Sequence, residues 1–218
     1  MYAQGIVVDP SSAGTSDGTT ASVNLGRAND LIVSELHGKY FQQCYRGNVF
    51  LASTTTAGVV IPIASTLTPT YSLWNPAGSG KLIVPIVTLI SWNVTTGVFG
   101  GLVWHATTNA GSSISTTAPF VAFGTGTAVN ANIGSGKTSQ LRVGSGGTTT
   151  LVAASTFYRN LGMTLITGAV TIPTAPFILR DDWDGSGILP PGNAIHLLGT
   201  TAVAITACVS LVYVEVPI

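Results

Sequence analysis

From Gly47 to the C-terminus, short runs rich in apolar residues are separated by polar clusters of Gly, Pro, Asn and Ser. The apolar positions are rich in Val, Ile and Thr, whose branched side chains suit a pleated, half-buried surface. The pattern predicts strands at 47–54, 58–63, 69–75, 81–93, 98–106, 117–123, 139–143, 148–154, 157–167, 169–172, 177–181, 194–199 and 203–216. Turn clusters separate them: NPAGSG (75–80), NAGSS (109–113), GSGG (144–147), DGSG (184–187) and LPPGN (189–193). Short strands at this spacing, with no alternating helices, predict a β-sandwich or barrel.

Two strands carry more information than the rest. In 203–216, Val203, Ile205, Ala207, Val209, Leu211 and Tyr213 form one continuous apolar face. The opposite face (Ala204, Thr206, Cys208, Ser210, Val212, Val214) starts small and polar and turns apolar at its end. In 82–92 both faces are apolar, with Leu82, Val84, Ile86, Ile90 and Trp92 on one and Ile83, Val87 and Leu89 on the other. A strand with two apolar faces is buried on both sides. In a two-sheet sandwich one side is the core, so the other must meet a second surface. Ile83, Val87 and Leu89 are therefore the expected subunit contact of the domain. Pro85 has no N–H for a sheet ladder, so it predicts an edge or a bulge within this strand.

The stretch before Gly47 reads differently. Residues 9–22 are turn and loop chemistry. Residues 28–45 fit a helix: Ala28, Ile32, Leu36 and Tyr40 recur at i+4, with Leu31 and Phe41 beside them. Asn29 or Asp30 would cap it, and Gly38 weakens its middle by about 1 kcal/mol relative to Ala. The expected organisation is an N-terminal arm, 1–46, with a helix near 30–43, followed by a β-sandwich domain, 47–218. The stripe Leu31, Ile32, Leu36, Tyr40 and Phe41 is expected to pack on the β domain or on a neighbouring copy.

Charge sharpens this division. Seven of the sixteen charged residues lie in Met1–Arg46, and Lys81 is alone between Gly47 and Gly136. Only 7% of the chain is charged and the net charge is zero, where a soluble domain carries about 25%. A compact monomer of this mass would expose roughly 9,400 Å², or one charge per about 600 Å². Such a surface tends to associate. No basic surface is available for phosphate contacts, so direct nucleic-acid binding is not expected. The start MYAQGIVVDP lacks a basic region and a long apolar run, so it does not read as a signal peptide. No run approaches the roughly 20 apolar residues of a spanning helix. An outer-membrane barrel would place polar residues on one face of each strand, unlike 82–92. The surface is therefore expected to be covered by protein.

The candidate chemical motifs resolve mostly into turns. Ala131–Thr138 (ANIGSGKT) fits a relaxed phosphate-loop spacing. It is followed by a strand-like SQLRVG instead of the helix the mechanism needs, so it reads as a surface loop. Asp182, Asp184, Ser186 and Gly187 match positions 1, 3, 5 and 6 of a calcium loop. The twelfth position is Asn193, which cannot give a bidentate carboxylate. An Asp-Gly turn offset by Arg180 is the expected reading. His37, His105 and His196 lie far apart without a zinc spacing, and no G-x-S-x-G elbow occurs. No nucleophile, base and orienter can be assembled, so no enzyme, metal or cofactor is expected. Cys44 and Cys208 are expected as free thiols. Trp74, Trp92, Trp104, Tyr71 and Tyr213 would suit a sugar-binding face, although in a sandwich such residues more often fill the core or an interface.

GKYFQQCYRGNVFLASTTTAGVVIPI (38–63) and LWNPAGSGKLIV (73–84), with LPPGNAIHLLG (189–199) and the closing LVYVEVPI (211–218), resemble virion structural proteins of tailed bacteriophages. The likeness covers most of 27–218 and rests on Gly-rich turns and apolar strands. It implies a jelly-roll module of a capsid decoration, head or tail surface protein. It also implies a homotrimer or higher assembly whose partners are itself and other virion proteins, made in the host cytoplasm and located on the virion. The alternative expectation is a carbohydrate-binding or adhesive module at a fibre or tail tip.

Overall fold

The computed structural model describes residues 4–7, 19–22, 39–92, 96–97, 101–108, 120–122, 128–146, 149–163, 170–171, 178–201 and 206–218. The chain divides into two compact units, Met1–Arg46 and Gly47–Ile218.

The first unit contains β1 (Gln4–Val7) and β2 (Thr19–Ser22), which pair antiparallel, and the short helix α1 (Phe41–Tyr45). Residues 19–22, expected as loop, are therefore strand. Lys39 and Tyr40, expected inside the helix, form a turn that leads into it. Leu31, Ile32 and Leu36 lie outside the described residues.

Among its described residues, the regular structure of the second unit is all strand. Its elements are β3 (Val49–Ser53), β4 (Val59–Val60), β5 (Tyr71–Trp74), β6 (Lys81–Trp92), β7 (Thr96–Gly97), β8 (Gly101–Thr107), β9 (Phe120–Ala122), β10 (Ala128–Asn130) and β11 (Arg142–Ser145). They continue with β12 (Thr150–Leu151), β13 (Thr156–Met163), β14 (Val170–Thr171), β15 (Ile178–Asp182), β16 (Ala194–Gly199) and β17 (Thr206–Pro217). One sheet runs β10-β3-β17-β6-β15, with β4 also on β17, and the other runs β11-β5-β16-β8-β13. Setting aside the short edge strands β10 and β11 leaves β3-β17-β6-β15 and β5-β16-β8-β13. Counted one to eight in chain order, these are 1-8-3-6 and 2-7-4-5. The pairs β3·β17, β5·β16, β6·β15 and β8·β13 are all antiparallel. This is one long hairpin rolled into two sheets, which is the jelly roll.

The core lies between the sheets. Tyr71, Leu73, Trp104, Leu197, Ile83, Ile90, Leu211 and Tyr213 belong to one buried cluster, and Trp183 joins it from the turn after β15. Trp104 sits at its centre, 6.3 Å from Tyr71 and 5.8 Å from Trp183 between ring centroids, tilted against both. Aromatic pairs favour such tilted and edge-on contacts. Trp183 also donates from Nε1 to buried Thr88 Oγ1 at 2.8 Å.

β6 contains a bulge. Val212 of β17 faces Val87 and Tyr213 faces Pro85, so Ile86 is the extra residue. Its carbonyl instead accepts the amides of Trp183 and Asp184 at 2.8 and 3.1 Å. An extra residue reverses the in–out alternation beyond it. Ile83 thus faces the core on one side of the bulge, and Ile86, Thr88 and Ile90 face it on the other. Leu82, Val84, Val87 and Leu89 face outward. The expectation that Ile83 shares a face with Val87 and Leu89 is therefore corrected: Ile83 is 1% exposed within the core.

Polar clamps close both open sides of the sandwich. On one side Arg159 of β13 reaches across to Asp181 of β15, through Nε at 3.0 Å and Nη2 at 2.8 Å. On the other, the 131–141 segment joins edge strands β10 and β11, and Glu215 of β17 anchors it.

Candidate functional site

The register of the first sheet assembles an outward face of side chains. Val129, Leu51, Val212 and Val87 lie side by side on β10, β3, β17 and β6, and Asp182 of β15 ends the row. The next row is Ser53, Ser210, Leu89 and Arg180. In the opposite direction come Val49, Val214 and Val84, then Val216 and Leu82. Every outward position on these four inner and left-hand strands is uncharged. Among the described residues of these rows the charges are Arg180 and Asp182 at the β15 edge, which neutralise each other by hydrogen bonds of 2.9 and 3.0 Å. Val129 is 59% and Leu89 37% exposed; Val87, Leu51 and Val212 are half-buried. An aliphatic face with so little charge gives water little to bind and can be covered by a second apolar surface. Its side chains are mostly apolar, with Ser53, Ser91, Thr206, Cys208 and Ser210 among them, so the chemistry they favour is association.

The second sheet differs, because much of its outward side is buried. Ser72, Trp74, Ala194, His196, Leu198, Val103 and His105 all point away from the core, yet Leu198 and His196 are fully buried and Val103 and His105 nearly so. The chain covers this face itself. Leu151 of β12 packs on Ala194 and Trp74, and Ser155 meets His105. The two sheets are therefore unequal: one is covered by an insertion between β8 and β13, whereas the other presents the row through Val87.

The acidic turn is fully engaged in holding the fold. Asp181 is bound bidentately by Arg159, whose guanidinium also stacks over Trp183 at 4.8 Å and donates to Ser186 Oγ at 2.9 Å. Asp182 is bound by Arg180. Asp184 and Gly185 take positive φ of 44° and 83°, forming the tight reversal expected of Asp-Gly. Among the described residues no group of three or more His, Cys, Asp or Glu could hold a metal ion.

The other sequence candidates separate. Tyr40 is half-buried with Lys39 over its ring, and Phe41 stacks on Tyr45 at 6.1 Å. The 131–138 loop runs into β11 with no helix, and Lys137 Nζ donates to Asn48 Oδ1 at 3.3 Å. Cys44 and Cys208 are free, and Cys208 lies on the outward face beside Ser91. Of the aromatic residues considered for sugar, Tyr71, Tyr213 and Trp104 are in the core, and Trp74 and Trp92 are half-buried. Trp183 is only 1% exposed beneath Tyr158 and Arg159. Among the described residues, an apolar pocket of about 180 Å³ opens between Pro85, Ala106, Tyr158, Trp183, Ile188 and Pro190. Among the described residues, no helix is long and apolar enough to cross a membrane.

Leu51 and Val129 were not singled out from the sequence, and Leu82, Val84 and Val212 were placed on strand faces but not expected as contact residues. The apolar end of the strand 203–216 held a partial signal for Val212 and Val214. The position of the bulge, which brings Leu82 and Val84 outward, is set by pairing with β17.

No known protein family, curated protein or solved structure matches this chain.

Proposed function

We propose that this chain is a structural protein of a bacteriophage virion, which forms or decorates the capsid by assembling into a trimer or higher oligomer. The uncharged outward row Val129–Leu51–Val212–Val87 is the observation that carries this reading. A jelly roll hides its sheet edges by packing two sheets together, so its remaining association surface is a sheet face. Here one outer face is occupied by the chain's own insertion, which leaves the face through Val87 for a partner. The near absence of charge from 47–136 supports an obligate assembly, whose interfaces resemble a domain core cut in half. The role is mechanical, with no catalytic step. The resemblance of the 38–63, 73–84 and 189–218 segments to virion proteins supplies the setting.

Native mass spectrometry of the purified protein and of Val87→Asp tests this. The wild type is expected as a trimer or higher oligomer. Val87→Asp is expected to be monomeric or insoluble, because it buries an unpaired carboxylate in the contact. A soluble Val87→Asp trimer would sink the assignment.

A further inference from the structure

The two open sides of the sandwich end in opposite shapes. On the β10–β11 side, Asn132, Ile133, Gly134 and Ser135 form a tight turn, closed by the Ser135 amide on the Asn132 carbonyl at 3.0 Å. Gly134 has a φ of 96°, as the third position of a type II turn requires. The turn is anchored at its base. Asn130 Nδ2 donates to the Gly47 carbonyl at 2.9 Å, and Asn130 Oδ1 accepts the Asn132 amide at 2.8 Å. Ile133 therefore stands on a fixed tip and is 93% exposed, the highest value among the described large apolar residues. Turns favour Gly, Pro, Asn, Asp and Ser, so an isoleucine on this tip is not explained by the turn itself.

On the β13–β15 side the surface is hollow. The apolar pocket of about 180 Å³ lies among Tyr158 of β13 and Trp183, Ile188 and Pro190 of the connection from β15 to β16, with Pro85 and Ala106 also in its wall. Trp183 is held by Thr88 and by the Arg159 guanidinium, so this wall is preformed. An apolar cavity of about 150 Å³ accepts a benzene ring, so the pocket has room for the four-carbon side chain of one isoleucine. Charge divides between the same two sides. Apart from Lys81, every charged residue after Gly47 belongs to one of them. Lys137 and Arg142 outnumber Glu215 on the side of the turn and leave it positive. Asp181, Asp182 and Asp184 outnumber Arg159 and Arg180 on the pocket side and leave it negative.

Symmetry adds a constraint. A surface that mates only with itself closes a two-fold pair, so a trimer needs two different surfaces that fit each other. Ile133 follows Val129 by four residues, which places the tip at the β10 end of the outward row. We propose that Ile133 of one copy inserts into the Tyr158–Trp183–Ile188 pocket of the next, so that copies join head to tail into a closed ring. The occupant of the pocket is thus a second copy of this chain, drawn in by opposite charge on the two sides. The inference rests on the oligomer proposed above and names the contact that orders it. The row through Val87 supplies area, whereas tip and pocket fix which side of each copy meets which.

Two variants of the full chain each remove one half of the contact. Ile133→Asp leaves the pocket intact, and Ile188→Asp leaves the tip intact. Both side chains are exposed, so the fold should accept either change. A carboxylate finds no partner in an apolar pocket, so each variant alone is expected as a monomer in native mass spectrometry, against the wild-type ring. Mixed in equal amounts, the two retain one matching tip and pocket. They should form a dimer with one copy of each and nothing larger. Where Ile188→Asp does not fold, Ile188→Ser takes its place. Wild-type mass in Ile133→Asp alone would overturn the proposal, and is what a pocket serving a small ligand or another protein would give. A mixture that stays monomeric, with both variants keeping the wild-type far-ultraviolet spectrum, would overturn it too. A monomeric wild type would remove the oligomer and this contact with it. An oligomer that Val87→Asp disrupts and Ile133→Asp does not would overturn the contact and leave the oligomer standing.

Discussion

Glu215 accepts a hydrogen bond of 2.6 Å from Ser139 Oγ, and the same hydroxyl lies 2.6 Å from Tyr213 Oη. The carboxylate is only 5% exposed and also accepts the Gln140 and Leu141 amides at 2.8 and 3.4 Å. A chain with eight acidic residues has placed one inside, on backbone donors. Those donors hold the segment between β10 and β11 against the end of β17. Glu215→Ala would leave them buried without an acceptor and is expected to cost about 3 kcal/mol. Glu215→Gln keeps one oxygen and should cost about 1 kcal/mol. Urea midpoints with unchanged slopes would measure both, and an Ala variant as stable as wild type would show that the segment is held by other contacts.

The bulge at Ile86 separates two residues that simple alternation puts together. Ile83→Ala removes core volume and should destabilise the fold by about 2–5 kcal/mol. Val87→Ser, on the outward side, should change monomer stability by less than about 1 kcal/mol and act on assembly instead. Denaturant titration beside sizing chromatography separates these effects. Equal loss of stability in the two variants would contradict the assigned parity.

Gly187 is held close to the aromatic stack of the acidic turn. A Cβ there would sit 2.8 Å from Trp183 ring carbons and 2.9 Å from Tyr158 Oη. Both rings stack at 6.0 Å and Trp183 is pinned by Arg159 and Thr88, so neither can yield readily. Gly187→Ala should therefore cost about 1–3 kcal/mol, the range of overpacking. Gly185, with nothing near its Cβ but φ of 83°, should tolerate Asn far better than Val. Thermal melts of the three variants would rank them, and a harmless Gly187→Ala would mean the stack is loose.

His196 also sets a direction for stability against pH. Its folded pKa is depressed to about 3 by burial and by His105, below the ordinary unfolded value near 6.5. The unfolded chain thus binds the extra proton in this window. Stability is full above about pH 6.5 and falls as pH drops toward 3, by at most about 1.4 kcal/mol per unit from this group. Denaturation at pH 7 and pH 5 should show the decline in wild type and a smaller one in His196→Gln. An equal decline in both would assign it to other groups.

Much of the β domain was legible from local pattern. Strands 81–93 and 194–199 match β6 and β16 closely because their apolar runs are long and bounded by Gly, Pro and Asn. The faces of β17 follow the expected alternation, with Ala207, Val209, Leu211 and Tyr213 fully buried. β10 was missed: Ala128–Asn130 is three residues in a Gly/Thr-rich stretch and owes its extended form to pairing with β3. The parity of β6 was misread at one end, because a bulge is fixed by the partner strand even where Pro85 hints at it. The covered sheet was not legible as such: the strand read as apolar on both faces, 82–92, is β6 of the other sheet. The burial of His196 and Leu198 comes from segments distant in sequence, which local pattern does not reveal.

The central claim is that the outward row through Val87 mates with protein. Native mass spectrometry of wild type and Val87→Asp, at one concentration and neutral pH, tests it most directly. The account predicts a wild-type trimer or higher oligomer, and a variant that is monomeric or lost to the insoluble fraction. A monomeric wild type, or a soluble Val87→Asp oligomer of wild-type mass, would contradict it.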